Sequence, residues 1–566
     1  MKSVFPILIF VLLLLPARQE AAEGLPEVVG GRADTVLTNA KILTMNQSSS
    51  IQQGLAIRGG RFVAVGSDQQ IRLWIGPNTR VINAGGRTVI PGLNDGHVYA
   101  SLAGITWQRD VHWEFTRSLA DGLKQITAAA ADRPAGSWIV VEGGWTPAQF
   151  SERRFPSRAE LDAVAPKQPV LVLNREQFAV LNSAGLTVAG ITRKTPDPPG
   201  GGFERDANTG EPTGVVRGAP AVEFVYKKIP EPALDGAREG LRALFRELNR
   251  LGITSVVDLQ NANLNFGHRR LLADMARTGE LSLRMTFFVS PGESGVEELR
   301  RLSEEMKQLG GGDSFRFAGF GDNLVAGSNP AATPNASTMQ DKTKEKLQAA
   351  IRFLAASGDN FQLRAVDENS TRQLLDILEE VNREKPFGNR RIGFTHVGDL
   401  SPESIERIKK LGGGISTDAA SALMMGSDAE TQAVRKISSA PLRKIVDAHV
   451  PLGAGSDGFH SGNYSPMLSL WSLVTGKSVG GLQLRDPTEN VSREEALRMY
   501  TMGSAWFTVD DWRKGSIETG KFADFAILSE DYLAIPEDRI PALESLLTVV
   551  GGRVVYAAGP FTKYAK

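Results

Sequence analysis

Apolar residues alternate with turn glycines at both ends of the chain, and strand-like runs exchange with helix-like runs through the middle. Asp34 to Met45, Gly54 to Gly66 and Thr79 to Gly92 read DTVLTNAKILTM, GLAIRGGRFVAVG and TRVINAGGRTVIPG, the texture of antiparallel strands joined by tight turns. Gly515 to Ser529 and Leu546 to Gly559 repeat that texture near the other end. Neither set has enough apolar faces to stand alone. The two ends, residues 30–90 and 505–566, are therefore expected to build one small β-sandwich domain together.

Between them the pattern predicts eight strands: Ile90 to His97, Thr254 to Gln260, Leu283 to Val289, Phe315 to Gly321, Asn360 to Val366, Ile392 to Val397, Gly414 to Asp418 and Val450 to Asp457. The segments PALDGAREGLRALFRELNRLG, VEELRRLSEEMKQLG, TRQLLDILEEVNREK and SPESIERIKKLGGG lie between strands and carry i, i+3, i+4 apolar spacing. Strand and helix in alternation predict an α/β fold, a (β/α)8 TIM-type barrel over residues 91–504. Residues from about 100 to 250 have no place in a minimal barrel and are expected to form an insert that shapes a ligand site. Its VVEGGWTPAQF stretch makes Trp145 a candidate substrate-binding residue, with packing inside the insert as the alternative.

The first residues add a targeting signal to this picture. An apolar run from Val4 to Leu15 follows Lys2 and is closed by Pro16, with Ala21 and Ala22 after it. That reads as a signal peptide over residues 1–22 and predicts a secreted or periplasmic protein. As a helix the run spans roughly 18 Å, short of the ~30 Å hydrocarbon core, so no stable membrane anchor is expected.

Composition narrows the chemistry. The 64 basic residues balance 64 acidic ones, which points away from nucleic acid or an anionic surface as a partner. The absence of cysteine removes disulfides, thiolate metal sites and thiol nucleophiles, so any metal must use His, Asp or Glu. Oligomeric state is not encoded in any pattern here.

Working residues in such barrels sit at the C-terminal ends of strands. That rule selects His97, Asp258, Gly321, Arg364, His396, Asp418 and Asp457. Two imidazoles one residue apart on a strand point the same way and can grip one ion. Here the first strand offers His97, but Tyr99 occupies the second position.

VIPGLNDGH at the first strand, GGW and DPPGG in the insert, ELNRLGITSVVD at the second strand and LGAGSDG at the eighth resemble the amidohydrolase superfamily. SREEALRMYTMGSAW, GSIETGKFADFAIL and LLTVVGGRVVYAAG extend the likeness to the C-terminus. The chain is similar to the exported YtcJ-like branch, related to N-substituted formamide deformylases, from about Asp34 to Phe561.

The resemblance implies a hydrolase of C–N bonds other than peptide bonds. It implies a divalent metal, zinc first among candidates, with His97, His396 and Asp457 as ligands. His396 and Asp457 would be catalytic, Asp457 as general base and then acid. Departures from the family pattern are Tyr99 for the second histidine, Arg364 for the fifth-strand histidine, and FAGFGDN around Gly321 where some relatives place a carboxylated lysine.

Arg364 stays protonated and would repel a nearby cation. A second expectation follows from it: a metal-free, inactive ligand-binding barrel in which Arg364 pairs with Asp457 in bidentate fashion. Arg364 could instead pair at the surface with Asp367 or Glu368. Arg364 and Tyr99 are candidate substrate-binding residues, Tyr99 also being readable as an oxygen ligand, a hydrogen-bond donor to a developing oxyanion or a packed aromatic. Among the chain's six histidines, His112 reads as structural and His460, in SDGFHSGNY, as a substitute ligand. Asp258 and Asp418 are expected either to enrich the site in carboxylates or to hold a helix N-terminus.

Overall fold

The computed structural model describes residues 31–260, 264–291, 295–310, 312–328, 338–418, 423–424, 440–459 and 462–565. The expected signal peptide and His460 lie outside the described residues.

Eight parallel strands form one sheet: Leu93–Val98 (β1), Ile253–Gln260 (β2), Arg284–Val289 (β3), Phe315–Phe320 (β4), Asn360–Arg364 (β5), Ile392–Thr395 (β6), Gly413–Asp418 (β7) and Leu452–Gly455 (β8). They neighbour one another in chain order, and this is the TIM-type barrel the pattern predicts. Strands covered on both faces read as continuous apolar runs, as in Met285 to Val289. The helices before and after them show one buried stripe. In Leu234–Arg250 that stripe is Ala237, Leu241, Leu244, Phe245 and Leu248.

The rim closes where β8 meets β1. Asp457 N donates to His97 O at 2.9 Å and Tyr99 N to Gly458 O at 2.9 Å. Gly455 permits this approach, since a Cβ there would lie 2.4 Å from His97 N. Below the rim, Asp95 Oδ1 accepts from Ser456 N at 2.9 Å and His97 N at 3.2 Å, which fixes the register of the two strands.

The first barrel strand starts later than its hydrophobicity predicts. Thr88–Pro91 belongs to another sheet, pairing antiparallel with Phe525–Leu528 and in parallel with Lys41–Leu43. Gly92 divides the two strands, and Thr254 occupies the space its Cβ would need. A continuous apolar run therefore crosses a domain boundary that its periodicity does not mark. The sheet holding Thr88–Pro91 has six strands drawn from both chain ends, and a four-stranded sheet packs with it. Leu37, Ile57 and Phe62 share their core with Phe525, Ile527 and Val549.

The insert folds around its own six-stranded sheet. One of its cores is built on Trp113, Trp145 and Phe150, and another on Leu171, Phe203 and Val222. It sits on the segment that follows β8: Asn463 Nδ2 donates to Glu114 O at 2.8 Å, and a Cβ on Gly144 would lie 2.9 Å from Gly462 O. Among the described residues no helix is long and apolar enough to cross a membrane.

Candidate functional site

The C-terminal ends of β1, β6 and the segment leaving β8 bring His97, His396 and Asp457 together. One nitrogen or oxygen from each lies within 4.8 Å of the others. His97 Nε2 is 3.5 Å from Asp457 Oδ1, and the two imidazole rings cross at 74° with centroids 4.4 Å apart. His396 and Asp457 both hold left-handed backbone, at φ 55° and 49°. Non-glycine residues adopt that region at a cost, and here it turns both side chains into the barrel mouth.

His97 is fully buried, and neither ring nitrogen has a hydrogen-bond partner among the described residues. Burial, followed by the positive charge of His396, pushes it down to about 3, so the ring is neutral and offers a lone pair. Asp457 Oδ1 is likewise buried without a partner. Burial and then the Asp418 carboxylate raise its pKa.

His396 stands differently. Its Nε2 is 3.0 Å from Asp322 Oδ2 and its Nδ1 is 2.9 Å from Asp418 Oδ2. Burial opposes its charged form, but Asp418 and the bond to Asp322 outweigh that and raise it to about 9. In this state His396 is a cation held between two carboxylates.

Arg364 does not pair with Asp457. Its Nε donates to Asp322 Oδ2 at 3.1 Å, and its Nη2 lies against His396 Nε2. The surface alternatives fail as well. Asp367 caps its helix through Ser370 N at 2.7 Å, and Glu368 accepts from Ser401 N at 2.8 Å. Asp322 is the residue that sequence reasoning missed: the strand-end rule stopped at Gly321, one position short. Arg364 and His396 hold the Asp322 carboxyl well below the usual carboxylate range, although burial acts the other way.

These residues fit a divalent cation. His97 supplies a neutral nitrogen, and Asp457 an unpaired oxygen beside it. The carboxylates of Asp322, Asp418 and Asp457 set three negative charges against the guanidinium of Arg364 and the protonated His396, which leaves one, and two once His396 is neutral. Neutral His396 completes a set of three ligands on yielding its proton.

The remaining sequence candidates divide. Tyr99 lies beside His97, ring centroids 5.6 Å apart, and burial followed by the Asp457 charge keeps its phenol protonated. Asp418 joins the site. Asp258 does not; it accepts from Ser101 N at 2.7 Å and holds the helix Ala100–Thr106. Trp145 is corrected too. Its side chain is wholly enclosed in the insert, packed on Trp113 and Phe150, with Nε1 donating to Leu173 O at 2.9 Å, so it is a core residue and presents no surface to a substrate. His112 bonds Trp107 O through Nε2 at 3.0 Å, away from the three-ligand cluster.

The described amidohydrolase family matches residues 80–556 of the chain. Protein LONG AFTER FAR-RED 3 of Arabidopsis thaliana is 28% identical over 93% of this chain and 92% of its own length. N-substituted formamide deformylase of Arthrobacter pascens is 27% identical over 92% of this chain and 98% of its own. Among solved structures, an uncharacterized metal-dependent hydrolase from Pyrococcus horikoshii superposes with a TM-score of 0.63 at 19% identity, covering 89% of this chain and 99% of that one.

Proposed function

The chain belongs to the amidohydrolase family, and from that premise we propose that it hydrolyses C–N bonds other than peptide bonds in a small molecule, with a divalent metal, zinc first, held by His97, His396 and Asp457. The observation that carries this reading is the buried, neutral His97, both nitrogens unpartnered, 3.5 Å from an equally unpartnered Asp457 oxygen. The formamide deformylase relative supports the choice of bond.

A divalent ion held by His97, His396 and Asp457 would supply the positive field that makes water nucleophilic near neutral pH and polarises a carbonyl. Asp457 then takes the proton of the attacking water and delivers it to the departing nitrogen. Tyr99, kept protonated, donates to the oxygen on which charge develops. Arg364, anchored through Nε on Asp322 and with Nη2 against His396, keeps Nη1 to donate to a substrate oxygen. The apolar run Val4 to Leu15 supports placement outside the cytoplasm.

One observation favours a second reading, a metal-free binding barrel: both His396 nitrogens already face carboxylates. Elemental analysis of purified full-length protein separates the two. The hydrolase reading expects about one divalent ion per chain, and a loss of about 100-fold or more in both metal affinity and turnover of N-formyl and N-acyl amines on His97→Ala. A chain that takes up no ion from zinc-, manganese- or iron-supplemented medium would sink it.

A further inference from the structure

A second group of buried polar side chains lies where the insert meets the barrel rim, and the catalytic reading leaves it unused. Trp107, Asp110, His112, Glu114, Glu142 and Phe459 line one small cavity of about 10 Å³, room for a single water-sized occupant. Phe459 is two residues past Asp457.

The cavity wall is rich in acceptors. His112 Nε2 is 3.0 Å from the Trp107 carbonyl, which can only accept, so Nε2 carries the proton. Burial lowers the ring's pKa, which leaves Nδ1 as a bare lone pair. That nitrogen has no hydrogen-bond partner among the described residues and lies 3.9 Å from Glu114 Oε1, too far for a bond and close enough for something between. Glu114 Oε2 is also unpartnered, on a side chain only 1% exposed.

The nearest cation is committed elsewhere. Arg109 Nε donates to Asp110 at 2.8 Å, and its Nη2 is 3.6 Å from Glu142, whose carboxylate also accepts from Tyr226 at 2.9 Å. Asp110 and Glu142 thus share one guanidinium, and no Lys or Arg pairs with Glu114 among the described residues. Trp107 closes the cavity, stacked on His112 at 3.7 Å and edge-on to Phe459 at 5.6 Å. An ionised Glu114 in this place is costly without a counter-charge. Burial and its acidic neighbours otherwise push it up to about 8.

We propose that this cavity binds a monovalent cation of potassium or ammonium size, held by Glu114, His112 Nδ1 and Glu142 beside the rings of Trp107 and Phe459, and that the ion clamps the insert to the barrel rim beside Asp457. A cavity for one occupant beside the single uncompensated carboxylate of Glu114 suits a singly charged ion.

Crystals of the full-length protein soaked in rubidium chloride are expected to show an anomalous peak between Glu114 and His112. In solution, potassium or ammonium chloride should raise the melting temperature by about 2–4 °C over choline chloride at equal ionic strength, and Glu114→Gln should abolish that difference. A response to potassium and ammonium alike identifies the ion by size and charge; a response to ammonium alone identifies it by its hydrogen-bond donors. Water density without an anomalous peak would overturn the proposal, as would a Glu114→Gln protein that keeps the full salt response.

Discussion

At the scale of single residues, Asp322 decides whether an arginine can live beside a metal. Its carboxylate takes the Arg364 Nε at 3.1 Å and faces His396 at 3.0 Å. Asp322→Asn leaves the guanidinium charge uncompensated a few ångströms from the donors. Affinity for zinc, measured by chelator competition, is expected to fall about 10–100-fold with the circular dichroism spectrum unchanged. Unchanged affinity would mean that Arg364 exerts no field on the ion. The three metal candidates were legible because strand ends and family spacing both select them, and the fold brings them within 4.8 Å. The Asp322 to Arg364 pair was not legible, because it joins the ends of two different strands and depends on a side chain one position past the apolar run. Trp145 misled for a related reason: a glycine pair before a tryptophan reads as a loop site, and only the insert's packing shows the ring enclosed.

Among the elements, the contact between β1 and β8 sets the geometry of the site. Gly455 allows the two backbones to meet, and Asp95 ties them through Ser456 and His97. Gly455→Ala would drive a methyl group to 2.4 Å from His97 N, which must shift because the obstacle is backbone. A loss of about 1–3 kcal/mol in unfolding free energy is expected, together with weaker zinc binding, since His97 moves with its strand. Denaturant titration and chelator competition on the same preparation check both. Full stability with intact zinc binding would mean that the two strands do not meet closely at the rim. All eight barrel strands were readable because strand-like runs alternate with segments of helical apolar spacing. The start of the first was misplaced because Ile90 is as apolar as the residues of β1, while the pairing that removes it, with Phe525–Leu528, comes from more than 400 positions away in the chain.

For the whole molecule, that same pairing makes the barrel and the two-ended β-domain one cooperative unit. Thr88–Pro91 lies inside the six-stranded sheet and runs through Gly92 straight into β1, so neither can be lost without loosening the other. A buried ion pair adds a second tie. Arg284 of β3 donates to Asp524 through Nε at 2.7 Å and Nη2 at 3.1 Å, with the two side chains only 10% and 5% exposed, and its guanidinium lies 3.8 Å over the Phe522 ring. Asp524 also accepts from Gly551 N at 2.6 Å, which binds the pair to the far hairpin. Removing one partner of a buried pair strands the other's charge, so Asp524→Asn is expected to cost about 3–5 kcal/mol. Because the tie spans both bodies, hydrogen exchange should accelerate together in Phe525–Leu528 and in β1, on opposite sides of Gly92, while the insert's sheet, which has its own cores, keeps its protection. Faster exchange confined to the β-domain would show that the shared strand does not couple the two, and the site at the barrel mouth would then owe nothing to the chain's distant C-terminus.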